Sequence, residues 1–191
     1  MAESIIITLL KGRTQKEDRV DRRLKENQNP KKRAVMVMRQ RGEKGKGSIK
    51  TRTFLVKSEN QKSSKKLAVS NISKDATIYA DEHNSYDTLH GSLLMKRVVH
   101  ADNYVAPDGT NTNQAESYFS RFRRMQYGQH HQMSNSYMPL YSNEIAFRED
   151  TRRTSNGEIF DTILGCCAKA PVSRDLCGYW QGNHREEQLA A

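Results

Sequence analysis

Two stretches decide the fold: Ile78-Tyr79-Ala80-Asp81-Glu82, and Asn113-Gln114-Ala115-Glu116-Ser117-Tyr118-Phe119-Ser120-Arg121-Phe122-Arg123-Arg124-Met125 further along. The first is a short apolar run closed by acids and predicts a strand with a carboxylate at its C-terminal end. In the second, Ala115, Tyr118, Phe119, Phe122 and Met125 recur at helical spacing and make one apolar stripe. Asn113 is the expected N-cap and Gly128 the expected stop.

Working outward, Ala34 to Met38 and Thr53 to Val56 are apolar and rich in β-branched residues, which predicts two more strands. Arg41 to Arg52, with Gly42, Gly45 and Gly47 among lysines, reads as a long hairpin loop between them. Ile5 to Leu10 can form a strand. Lys11 to Arg33 is dense in charge and reads as an exposed loop. Ser58 to Lys66 is polar and shows no period. A short helix is expected around Tyr86 to Leu89, a strand over Leu93 to Val99, and helices over Ser136 to Arg153 and Phe160 to Ala170. Pro139 is tolerated in the first turn of its helix. Strands followed by helices predict a mixed sheet covered by helices.

The chain has 191 residues, enough for one ordinary domain, and a net charge of +10. Residues 1–66 hold 20 basic and 7 acidic residues, a net of +13; the remainder carries −3. Such a block indicates a polyanion partner or a solvated arm. Hydrophobic residues make up 35%, so the core is lean. No run approaches the roughly 18 apolar residues of a membrane span, so no membrane partner is expected. The three cysteines, Cys166, Cys167 and Cys177, lack C-x-x-C spacing. This argues against a disulfide framework or a structural zinc site and for a reduced, cytoplasmic protein. Cys166 and Cys167 are expected to pack.

The candidate chemistry rests on two acids. Asp81 at a strand end and Glu116 in the first turn of a helix can converge at one sheet edge, and hard divalent cations prefer such oxygen ligands. Taken singly, each residue also has a plain structural role. Glu116 fits a capping-box-like turn after Asn113 and favours the positive helix end. Asp81 fits the start of a turn. Arg121, Arg123 and Arg124 suit either a solvated face or a grip on phosphate. His100 and the His130-His131 pair are weaker site candidates.

Several ordered blocks carry a resemblance. They are Tyr79-Ala80-Asp81-Glu82 with Val98-Val99-His100, Thr112 to Arg121, Gly128-Gln129-His130-His131, Ala146 to Arg153, and Lys16 to Arg23. Together they resemble small bacterial insertion-sequence transposases with a DDE-type, RNase H-like core, and in particular the subgroup with an N-terminal zinc ribbon and a D-D-(E or N)-K signature. The resemblance implies an α/β fold, an RNase H-like mixed sheet flanked by helices. It divides the chain into a divergent N-terminal strand region (1–15), the catalytic core (16–180) and a C-terminal tail (181–191).

By resemblance, Asp81 is the second catalytic aspartate and Glu116 the third acid. Arg123 takes the signature's basic position, with Arg replacing Lys. Asn113 is a secondary third-acid equivalent. Asp81 and Glu116 would be metal ligands for Mg2+ or Mn2+, two ions in an intact relative. There, metal-activated water nicks the transposon end, and the freed 3′-hydroxyl attacks target DNA. Arg121, Arg123, Arg124, Lys31, Lys32 and Arg33 are the expected DNA contacts. The expected partners are transposon-end and target DNA and further copies of the chain in a homo-oligomer. The first catalytic Asp is expected near Ala2, where the sequence carries none; the zinc ribbon is missing too. The chain therefore reads as an N-terminally truncated, catalytically impaired transposase. The competing reading is a non-catalytic basic DNA-binding protein.

Overall fold

A computed structural model of the chain describes residues 4–10, 32–43, 47–81, 83–98, 112–173 and 177–190. Five strands form one sheet in the order β3-β2-β1-β4-β5. They are β1 (Ser4–Leu10), β2 (Ala34–Arg41), β3 (Ser48–Val56), β4 (Thr77–Asp81) and β5 (Leu94–Val98). β2 is antiparallel to β1 and β3, whereas β1, β4 and β5 run parallel. Among the described residues, four α-helices accompany the sheet: α1 (Gln61–Asn71), α2 (Asn113–Met125), α3 (Met138–Thr151) and α4 (Asn156–Lys169). This is an α/β fold with the RNase H-like sheet and flanking helices.

Strand alternation sorts the core into two clusters. Met36, Met38, Ile78 and Ala80 pack with Leu67, Ala68 and Ile72 of the α1 region, and with Tyr86 and Leu89. Val35, Val37 and Leu55 pack on the other face with Tyr118, Phe119, Phe122 and Met125 of α2 and with Ile145 and Ala146 of α3. The second helix lies on β1 and β2, and the third on β3 and against α2. Both strands expected between residues 34 and 56 are present, but longer than expected. The long hairpin loop is corrected: β2 runs to Arg41, β3 restarts at Ser48, and the Gly42 amide donates to the Gly47 carbonyl at 2.8 Å. Gly47 sits at φ +80, a backbone conformation that favours glycine.

Ser58 to Lys66 is corrected as well, since α1 begins at Gln61. Its signal was local and polar: the Asn60 side chain accepts from the Ser63 amide at 2.8 Å, as an N-cap does. Few of its residues are buried, so apolar periodicity was weak. The N-cap of α2 is Thr112, not Asn113. Gly128 is not a stop but lies inside a π-turn, Gln126–His130, which continues α2 and ends at His131 (φ 45). The short helix after β4 is a 3₁₀ segment, Asn84–Leu89. The last helix forms as expected, yet no α4 residue is buried, and Cys166 and Cys167 are exposed rather than packed. Lys11 to Lys31 and His100 lie outside the described residues.

The C-terminal tail is tied back to the sheet. Arg33 donates to Glu187 through Nε and, at 2.8 Å, through Nη2. The Ala190 amide donates to the Leu55 carbonyl at 2.8 Å, which occupies part of the β3 edge. No helix among the described residues is long and apolar enough to cross a membrane.

Candidate active site and nucleic-acid interface

Asp81 ends β4, half-buried, with β1 on one side and β5 on the other. Ile78 and Ala80 point to the α1 face, so alternation places Asp81 with Tyr79 on the α2 face. Tyr79 lies 5.3 Å below the Arg41 guanidinium. Asp81 Oδ1 accepts from the His83 amide at 3.1 Å. The turn that follows is pinned, because His83 Nδ1 lies 2.9 Å from Glu59 Oε1 and 2.8 Å from Ser85 Oγ. Burial pushes the Tyr86 hydroxyl well above its ordinary value, and the charges of Asp81 and Glu59 add to the shift.

Glu116 is exposed in the first turn of α2. It is the fourth helical residue, not the third, so it does not form a capping box. Thr112 is 1% exposed, and its hydroxyl donates to Glu116 Oε1 at 3.1 Å instead of capping a backbone amide. At about 100° per residue, Glu116 and Arg123 share one flank of α2, two turns apart, while Gln114 and Arg121 share the other. The α3 helix packs on the Gln114–Arg121 side, as the following contacts show. The Glu116–Arg123 flank is the one turned away from α3.

The α3-side flank is locked. Glu149, 2% exposed, receives Arg121 Nη1 at 2.7 Å, Arg39 Nη2 at 3.4 Å and Arg152 Nη1 at 3.8 Å. Arg39, 3% exposed on β2, also donates through Nη1 to the Gln114 carbonyl at 2.6 Å and through Nε to Thr51 Oγ1 at 3.2 Å. Asp150 accepts from the Thr51 amide at 2.6 Å and from its hydroxyl at 2.7 Å. Tyr118 donates to the Ser142 carbonyl at 2.7 Å. Desolvation lowers the Arg39 pKa, opposed by Glu149 and Asp150, and burial raises that of Tyr118. The sequence reading missed Arg39, Thr51, Glu149 and Asp150 as a group. One signal was present, since Arg39 continues the Val35–Val37 alternation with a charge.

The remaining candidates fall apart in space. Arg124 is exposed and donates to Ser120 Oγ at 3.3 Å. Arg123 is half-buried and makes no ion pair among the described residues. Lys32 is exposed, Arg33 is held by Glu187, and Lys31 lies outside the described residues. His130 stacks obliquely on Tyr141, ring centroids 4.7 Å apart. It lines a groove of about 790 Å3 between α2 and α3, together with Arg124 and Arg148.

The acids do not complete a two-metal centre. Two divalent ions need at least three acidic ligands, yet β1 has no carboxylate over Ser4–Leu10. In the sheet, Ile7 pairs with Ala80, so Thr8 is the β1 residue level with Asp81. The described residues hold no cluster of three His, Cys, Asp or Glu suited to a metal. The position near Ala2 lies outside them. Among the described residues, the donor set does not complete the implied pair of ion sites.

The strand order, the parallel β1–β4–β5 edge and the flanking helices define the chain as an RNase H-like α/β protein. More specifically, it belongs to the ISXO2-like transposase domain family, whose model matches residues 8–150. No curated protein matches the chain. The family is one of DNA-acting transposases of insertion sequences.

Proposed function

We propose that this chain is an insertion-sequence transposase that contacts DNA through the Glu116–Arg123 flank of α2 but is severely impaired in nicking and strand transfer. One observation carries the proposal: β1 lacks a carboxylate, and the residue level with Asp81 is Thr8. Asp81 at the end of β4 and Glu116 on α2 are the proposed second and third acids, a reading that the transposase family match supports. Two carboxylates bind hydrated Mg2+ or Mn2+ weakly, so these ions are not held as a productive pair.

Arg123, Arg124 and Lys32 are the proposed phosphate contacts among the described residues, and the oligomeric state in solution is expected to be a homo-oligomer. Purified protein with Mg2+ or Mn2+ should give no measurable strand transfer on a terminal-repeat substrate, while binding duplex DNA with a slope of roughly 0.9 log units per phosphate contact per decade of salt. Robust strand transfer that Asp81→Ala abolishes would overturn the impairment, and failure to bind duplex DNA at low salt would overturn the DNA reading. Light scattering after size exclusion checks the oligomer.

A further inference from the structure

Glu149 is the most unusual charged group of the described residues. Its carboxylate is almost fully removed from water, and three guanidinium groups converge on it, two of them from other elements. Arg39 comes from β2, Arg121 from α2, and Arg152 lies just past α3. An ionised carboxylate at such a site is costly unless it is paired and hydrogen-bonded. The shortest contact is with Arg121, at 2.7 Å against 3.4 and 3.8 Å for the others. Arg121 is nonetheless 46% exposed, so by exposure alone it looks available to a phosphate.

The geometry works against that availability. If Arg121 swung out to a phosphate, Glu149 would keep only its two longer partners in a dry site. Arg39 is itself committed to the Gln114 carbonyl and Thr51. Arg39 and Arg121 thus hold α2 at two points on one flank, the Gln114 carbonyl in its first turn and Arg121 two turns on. Two anchors on one flank fix the roll of a helix about its axis, and Tyr118 to the Ser142 carbonyl adds a third tie to α3. With the roll fixed, the opposite flank carries Glu116 and Arg123.

We propose that Glu149 is a positioning residue that sets the roll of α2 and withholds Arg121 from phosphate, so that polyanion contact falls to Arg123 on the opposite flank. This rests on the DNA-binding reading above and deepens it by assigning neighbouring arginines of one helix to different tasks. Arg121 belongs to the clamp, and Arg123 to the nucleic-acid surface.

Arginine footprinting of the full chain tests this, with p-hydroxyphenylglyoxal as the probe and mass spectrometry to resolve sites. In the protein alone, Arg121 should react several-fold more slowly than Arg124. Glu149→Gln should bring Arg121 to the rate of Arg124 without altering Arg124. Adding a random-sequence duplex should slow Arg123 several-fold and leave Arg121 unchanged. The proposal is overturned if Arg121 reacts as fast as Arg124 in the unmodified chain, if Glu149→Gln leaves its rate unchanged in a folded protein, or if the duplex protects Arg121 as strongly as Arg123. Where Glu149→Gln fails to fold, the rate order and the footprint of the unmodified chain decide. Protection of no arginine by the duplex would defeat the DNA reading and the assignment of Arg123, whereas a slow Arg121 in the same experiment would still identify the clamp.

Discussion

Two helices of this protein carry the same pattern and meet opposite fates. The second helix places Ala115, Tyr118, Phe119 and Phe122 on one stripe, and all four are buried against the sheet. The fourth places Phe160, Ile163, Leu164 and Cys167 at the same spacing, and all are exposed, Phe160 to 64% and Leu164 to 56%. An apolar stripe states only that a helix has a side to bury; what it meets is set by the elements around it. For α2 that element is the sheet face made by Val35, Val37 and Leu55. For α4, stability must come mostly from within, and the helix has the local means. Ser155 caps it, the Ser155 hydroxyl accepts from the Glu158 amide, and Glu158 reaches back to the Ser155 amide at 3.1 Å.

The same substitution in both helices tests this contrast most directly. Phe122→Ala should cost about 3–5 kcal/mol, seen as a large fall in the urea midpoint, because Phe122 is 1% exposed. A small loss there would mean that α2 is held by its polar ties rather than by its stripe. Glu149→Ala should cost roughly 3–5 kcal/mol as well, since it strands the nearly dry Arg39. A double-mutant cycle with Arg39→Met should then recover part of that loss.

Ser155→Ala removes an N-cap worth about 0.5–2 kcal/mol to its helix. Because α4 buries nothing, the loss should appear as reduced helical circular dichroism with the global midpoint unchanged. Phe160→Ala should change the global stability by no more than about 0.5 kcal/mol. A larger loss that depends on protein concentration would show that the α4 stripe packs on a second copy.

The smallest effect is acidic release of the tail. The Arg33 guanidinium holds the Glu187 carboxyl below its ordinary value of 4.5. An acid with a depressed folded value stabilises above its unfolded value, and the contribution disappears as pH falls through the folded one. The tie should therefore be intact at neutral pH and fail below about pH 4.5, with the Ala190 amide resonance moving as its bond to Leu55 opens. No movement there would show that Ala190 is held by packing instead.

Most of the sheet was readable because its strands are short apolar runs with β-branched residues, and β4 announced its end with Asp81. The pairing order was not readable from these runs, since the parallel β1–β4–β5 edge depends on crossovers through α1 and the 3₁₀ segment. The first of those crossovers was hidden, because α1 is specified by an Asn60 cap and a few buried residues rather than by a strong stripe. The candidate acids were legible as single residues. Their relation to β1 was not, because register is a property of paired strands and is set by what the sheet buries.

The sequence by itself determined the family blocks, the places of Asp81 and Glu116, the missing carboxylate in the first strand and the amphipathic stripe of α2. Each is a matter of residue type and spacing, which local chemistry fixes. Only the tertiary structure decided that Thr8 is level with Asp81, that Arg121 and not Arg123 meets Glu149, that Arg33 is held by Glu187, and that α4 is left uncovered. These depend on which distant side chain arrives at a given distance. The buried Glu149 carboxylate is the clearest case, because its charge can persist there only where guanidinium groups from other elements meet it.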